Sequence, residues 1–114
     1  PDLAVIQKSY RFILERIIVA LRGVGVDADF RPVCDLVLRE TDKKFSGNAQ
    51  RRGREFILHH GTFLYDFDLP LISRYLKIPK KMPDYRINRP HSDFVTNINV
   101  KPNSLKQVIK DLFN

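Results

Sequence analysis

Apolar residues recur at three- and four-residue steps through Leu3, Ile6, Tyr10, Ile13, Leu14, Ile17, Ile18 and Leu21, which predicts one long amphipathic helix. Gly23 and Gly25 mark its end. The period then shortens. Val24, Val26, Ala28 and Phe30 alternate with polar or small residues, as in a half-buried strand, and after Pro32 the run Val33 to Leu38 reads as a second. Lys44 to Gln50 predicts a third strand, with Gly47 where the backbone must come close to something. Phe56 to Leu64 predicts a fourth. Arg51 to Arg54, with Gly53, is the turn of an antiparallel hairpin between the last two. Asp66 or Asp68 is placed to cap a short helix over Leu69 to Leu76, and Pro79 and Pro83 frame an irregular stretch towards Pro90. Asp93 to Val100 reads as a weak strand or extended loop. Asn103 or Ser104 then starts a last helix, with Ser104 and Gln107 in capping-box spacing and Leu105, Val108, Ile109 and Leu112 on one face. The pattern predicts one α+β unit, with a mixed or antiparallel sheet flanked by helices.

Composition narrows this picture without redirecting it. A chain of 114 residues, 43% hydrophobic, suffices for one modest core. No apolar run approaches the roughly 20 residues needed to span a bilayer. Lys8, Arg11, Glu15 and Arg16 interrupt the first apolar stretch, so it is not expected to act as a signal peptide. Cys34 is the single cysteine, so an internal disulfide is excluded and a reducing, cytoplasmic setting is expected. Twenty Lys and Arg against 13 Asp and Glu leave a net charge of +7, which calls for an acidic counterpart. The basic residues form three short groups beside turns: Lys43-Lys44, Arg51-Arg52-Gly53-Arg54 and Lys80-Lys81. Nucleic acid, an anionic membrane surface, an acidic protein and a phosphate-bearing small molecule all fit that charge, as does a merely solvated surface.

The predicted hairpin carries the most specific chemistry. A lysine ammonium brings three donors and no acceptor, which suits a carboxylate or phosphate. Ser46, Gly47, Asn48 and Ala49 leave backbone amides unshielded, and such amides bind anionic oxygens. His60, before Gly61 and Thr62, adds a donor on the facing strand. The pattern predicts an anion pocket with one strong positive charge, against the plainer alternative of a polar hairpin. His59, His60 and His91 are not expected to form a metal site, because adjacent strand histidines point to opposite faces and no Cys or acidic cluster completes a zinc pattern.

Lys43-Lys44-Phe45-Ser46-Gly47-Asn48-Ala49, followed by His60-Gly61-Thr62-Phe63-Leu64, resembles the paired motifs of the lipoate–protein ligases, within the superfamily of biotin ligases and octanoyltransferases. Cys34-Asp35-Leu36, the preceding helix and Tyr65-Asp66-Phe67-Asp68-Leu69 are similar too. The resemblance implies part of a class II synthetase or biotin-ligase-like domain. It implies ATP-dependent formation of lipoyl-adenylate and transfer of the lipoyl group to a lysine of an acidic acceptor domain. Lys44 would then be the catalytic residue, contacting the lipoate carboxylate and the adenylate phosphate. Ser46, Gly47, Asn48 and Ala49, with His60, Gly61 and Thr62 opposite, would form the adenylate site. ATP and lipoate would be substrates, with Mg²⁺ escorting ATP; neither nucleic acid nor membrane is the expected partner.

Two departures accompany the resemblance. The family's glycine-rich motif has no counterpart, since no triple glycine occurs. The chain therefore resembles the C-terminal half of the catalytic domain, expected as a fragment or as one subunit of a split enzyme. Secondly, Cys34 matches neither position at which octanoyltransferases carry their acyl-bearing cysteine, and is expected to be a small buried strand residue. Octanoyl transfer, a non-catalytic lipoate- or partner-binding subunit, and a nucleic-acid binder using Phe63, Tyr65 and Phe67 are the competing readings.

Overall fold

The computed structural model describes residues 3–77 and 82–113. Pro1, Pro79 and the Lys80-Lys81 pair of the sequence reading lie outside the described residues.

The long helix α1 spans Ile6–Arg22 and buries Ser9, Tyr10, Leu14, Ile17, Ile18 and Leu21. Leu3 and Ile6, which share the predicted face, are exposed; the helix begins only at Ile6. Gly25, with φ +85°, makes the left-handed turn that a side chain would resist, and the amide of Val26 then bonds the Leu21 carbonyl at 3.0 Å. Four strands follow: β1 (Ala28–Arg31), β2 (Asp35–Leu38), β3 (Lys43–Arg52) and β4 (Ile57–Gly61), in the order β1-β2-β3-β4 and antiparallel throughout.

Each predicted strand is present, with shifted ends. The first and second start later than expected, at Ala28 and Asp35. The third runs on to Arg52, so the hairpin turn is narrower and closes with the Gly53 amide on the Phe56 carbonyl at 2.9 Å. Beyond β4 the chain still follows β3, the Thr62 amide bonding Gly47 and the Leu64 amide bonding Phe45.

β3 changes partner midway. Its first half pairs with β2, ending at Asp35 opposite Gly47; its second half pairs with β4, beginning at Asn48 opposite Gly61. The register also slips beside Leu36 and Val37, which face Ser46 and Lys44 and leave Phe45 as an extra residue. Phe45 drops fully into the core with Leu14, Leu21 and Leu36. Burying an aromatic ring of that size contributes roughly 1.5–3 kcal/mol.

The helices differ more from expectation. α2 (Pro70–Tyr75) takes no side-chain cap from Asp66 or Asp68; its start is set by Pro70, and only the Asp68 carbonyl contributes. Asp93–Val100, read as a weak strand or extended loop, begins inside a short helix, α3 (His91–Phe94), and only from Val95 is it extended chain, which meets the sheet in one parallel bridge, Val95 with Lys44. α4 (Pro102–Leu112) begins before the expected Asn103 or Ser104 because Pro102, with no amide hydrogen to satisfy, opens its first turn. Ser104 thus lies inside the helix, no capping box forms, and Gln107 bonds Asp111 at 2.8 Å instead. α1 and α4 cover the core together. Among the described residues no helix is long and apolar enough to cross a membrane.

Candidate active site

The point where β3 changes partner brings three segments together: the start of β2, the middle of β3 and the end of β4. Lys44 projects there with its side chain about a third exposed, and its Nζ lies 3.0 Å from Oδ1 of Asp35, whose own side chain is 9% exposed. The second carboxylate oxygen of Asp35 accepts from the Tyr85 hydroxyl at 2.5 Å. Tyr85 stands in a 3₁₀ turn, Asp84–Arg86, just before α3. Burial first, and then the bond to Asp35, push its phenol far above the usual tyrosine range, so it remains a donor. The lysine is thus held from behind by a buried carboxylate that is itself tied down.

Two clefts meet at Lys44. One, of about 470 Å³, is mainly apolar, walled by Leu64, Ile72, Leu76, Phe94 and Val95. The other, of about 360 Å³, is walled by Cys34, Asn48, His60, Gly61 and Thr62. Lys44, Gly47 and Thr62 line both. Of the residues singled out in the sequence, Lys44, Gly47, Asn48, Ala49, His60, Gly61 and Thr62 all reach the polar cleft. Ser46 does not; it is 1% exposed and lines the apolar one. A Cβ on Gly47 would come within 3.2 Å of Lys44 Cε and Nζ, so a side chain there would press on the ammonium. The side-chain Nδ2 of Asn48 donates to the Cys34 carbonyl at 2.9 Å, tying β3 to the loop before β2.

Sequence reasoning missed several participants. Asp35 was visible only as part of a motif, and its partnership with Lys44 requires the β2–β3 register. Arg86, in a stretch with no legible role, is 3% exposed and lies over the Phe94 ring, its charge centre 4.4 Å from the ring centroid. Burial lowers the affinity of its guanidinium for a proton. It lines the apolar cleft with His91, which lies far along the chain from the strand histidines. Cys34 is half-buried in the loop before β2, not within the strand, and faces the polar cleft. Its thiol is pushed up by burial and by the charge of Asp35. Arg52, grouped above with the basic residues of the hairpin turn, bonds Gln50, Ser9 and the Leu3 carbonyl. Among the described residues no group of three His, Cys, Asp or Glu side chains is placed to hold a metal ion.

Replacing Tyr85 by phenylalanine removes one of the two bonds holding Asp35, and should lower the unfolding free energy by about 1–2 kcal/mol. Chemical denaturation would measure this; an unchanged midpoint would mean that the tyrosine does not support the carboxylate.

Residues 2–113 match the family model of the lipoyl protein ligase A/B catalytic domain. The chain belongs to that family. A Schizosaccharomyces pombe protein assigned as a lipoate-protein ligase A is 40% identical over 62 residues, covering 54% of this chain and 17% of that relative. The fold is also similar to two solved ligases. A bi-partite lipoate protein ligase of Thermoplasma acidophilum, from an archaeal lipoylation system with its E2 lipoyl domain, superposes with TM-score 0.78 at 24% identity. A lipoate-protein ligase A bound with ATP gives TM-score 0.74 at 23% identity. Both are covered over less than half their length, 44% and 45%, while 95% and 96% of this chain is matched. The α+β lipoate-ligase catalytic fold, with its antiparallel sheet and flanking helices, is therefore the architecture of this chain.

Proposed function

We propose that this chain supplies the lysine-bearing part of a lipoate–protein ligase active site, which makes lipoyl-adenylate from ATP and lipoate and passes the lipoyl group to a lysine of an acidic acceptor domain. The observation that carries this reading is the placement of the Lys44 ammonium, paired with Asp35, where an apolar and a polar cleft meet. A mixed acyl–phosphate anhydride has that shape of demand: an acyl part and a nucleotide part joined at an anionic centre.

In the first stage a lipoate carboxylate oxygen attacks the α-phosphorus of ATP, and the bond to pyrophosphate breaks. In the second, the acceptor amine attacks the acyl carbon and AMP leaves. Negative charge grows on phosphate oxygens in both stages, and a fixed ammonium beside them lowers both barriers. Lys44 carries no acyl group in this scheme. The amides and small side chains of Gly47, Asn48 and Ala49 shape the nucleotide side, with His60, Gly61 and Thr62 opposite. Mg²⁺ arrives with the ATP phosphates, which suits an ion that keeps much of its water. The raised Cys34 thiol weighs against transfer through a thioester, because little thiolate is present near neutral pH.

The rest of the catalytic domain, with the glycine-rich motif, would come from the same polypeptide or from a second one. Two features support that. Among the described residues β4 pairs with β3 alone, and Phe56 and Leu58, just before it and within it, are 64% and 54% exposed. The T. acidophilum neighbour, described as bi-partite, is a precedent for division of a ligase.

The test is ATP- and lipoate-dependent release of pyrophosphate and formation of adenylate, by this chain alone and with the remaining part of the domain supplied. Activity only in the second case is expected. Lipoate binding without adenylate in the reconstituted protein would replace this reading with that of a non-catalytic binding subunit.

A further inference from the structure

Behind the polar cleft, a line of side chains runs from α1 to Asn48, and its donors and acceptors admit one arrangement. Arg52 Nη1 donates to Gln50 Oε1 at 2.7 Å. A guanidinium only donates, so the oxygen of Gln50 must face it. The Gln50 amide nitrogen then faces His59 Nδ1 at 3.3 Å. That nitrogen also only donates, so Nδ1 must be bare. A neutral imidazole with a bare Nδ1 carries its proton on Nε2, which lies 3.2 Å from Asn48 Oδ1. Asn48 Nδ2 in turn donates to the Cys34 carbonyl at 2.9 Å and to Ser46 Oγ at 3.2 Å. A carbonyl only accepts, so the far end demands the same Asn48 orientation that the near end delivers.

We infer that His59, neutral and protonated on Nε2, is a positioning residue that holds the Asn48 carboxamide in the wall of the polar cleft and thereby keeps the nucleotide side of the site in shape. The inference rests on the reading of that cleft as the nucleotide side.

Packing supports the assignment. The His59 ring is half-buried, and Tyr10 of α1 meets it edge-on with ring centroids 5.7 Å apart. Burial, followed by the proximity of His60, pushes the His59 pKa below its ordinary value. The titratable or charged groups facing it are Tyr10 from α1, Arg52 beyond Gln50 on β3, and His60 on its own strand. No carboxylate is among these groups to favour an imidazolium. Protonating His59 would set an Nδ1–H against the Gln50 amide nitrogen, two donors face to face. Gln50 cannot turn over to relieve this, because Arg52 claims its oxygen. The wire would break at that joint: the Nε2–H that donates to Asn48 survives, but the ring that presents it would lose its anchor on Gln50.

The linkage has a definite sign. Between the lowered folded value and the ordinary value of about 6.5, the unfolded chain binds more protons, so acidification through that window costs stability. The same protonation should loosen Asn48.

Nitrogen-15 spectroscopy of the labelled protein decides the core of the inference without any activity. Expected are the Nε2–H tautomer at pH 7.5, a His59 midpoint below 6.5, and an Asn48 side-chain amide that shifts with that same midpoint. An Nδ1–H tautomer, or an Asn48 amide indifferent to His59 titration, would overturn it. Kinetics then separate positioning from simple packing. Glutamine at this position can accept from Gln50 and donate to Asn48; leucine can do neither. In the complete ligase, His59→Leu should raise KM for ATP about tenfold, the scale of one lost hydrogen bond, with a smaller effect on kcat. His59→Gln should recover most of that loss, and both variants should lose the acid limb of the kcat/KM profile. Equal losses in both, with the wild-type pH profile preserved, would show a packing role only. Because the spectra need no turnover, failure of the ligase reading and failure of the wire are told apart.

Discussion

Lys44→Ala should reduce adenylate formation by at least about 10²–10³-fold, the scale on which a fixed charge-stabilising donor acts at a reacting centre. The structure explains why the loss should be chemical and not a collapse of the fold. Lys44 is partly solvated, and Asp35 keeps its bond from Tyr85 when the ammonium is removed. Unfolding free energy should therefore fall by no more than about 1–2 kcal/mol. Lys44→Arg should keep the pairing with Asp35 yet remain poorly active, because a planar fork cannot take the place of a compact ammonium between two clefts. Adenylate assays paired with thermal melts would check both. Near-normal turnover in the alanine variant would remove Lys44 from the mechanism.

Gly61→Ala should come next in effect. A Cβ on Gly61 would lie 2.0 Å from Asn48 Oδ1, 2.9 Å from its Cγ and 3.3 Å from the Gly47 carbonyl. Asn48 would have to move, and in moving it would surrender its bonds to His59 and the Cys34 carbonyl. A displacement of about 1 Å in a substrate-positioning group can cost on the order of 10²-fold in rate. Overpacking of this kind typically costs about 1–3 kcal/mol. Activity should thus fall far more than stability. A variant that melts early but turns over normally while folded would show that Gly61 is needed only for packing the β3–β4 pair.

The legible parts of this chain were those written in local periodicity. The three- and four-residue steps from Leu3 to Leu21 predict α1, and burial follows them from Tyr10 onward, not at Leu3 and Ile6. The β3–β4 hairpin was equally legible, since two alternating runs around Gly53 leave few other arrangements. The helix starts were read less well, because capping was assigned to side chains at Asp66, Asp68 and Ser104. Pro70 and Pro102 set those starts instead, through ring geometry. The start of the Asp93 to Val100 reading fell inside α3, because one helical turn shows no period.

The candidate site divides in the same way. Lys44, Gly47, Asn48, Gly61 and Thr62 were identifiable because each sits within a short motif whose chemistry suits an anion. Asp35, Tyr85 and His59 were not, since their roles exist only through pairing and packing between separate elements; Arg86 was not, because its burial against Phe94 depends on how the α3 segment folds back on itself. Tyr85 reaches Asp35 across 50 positions, and Arg52 reaches Ser9 across 43. Composition and periodicity thus determined an α+β chain with a cationic, small-residue hairpin, because those properties follow from neighbours a few residues apart. The tertiary structure alone decided that β3 changes partners at Gly47 and Asn48, that a buried carboxylate stands behind Lys44, and that a histidine behind the cleft can have only one tautomer. Those are consequences of register and burial, which no local window contains.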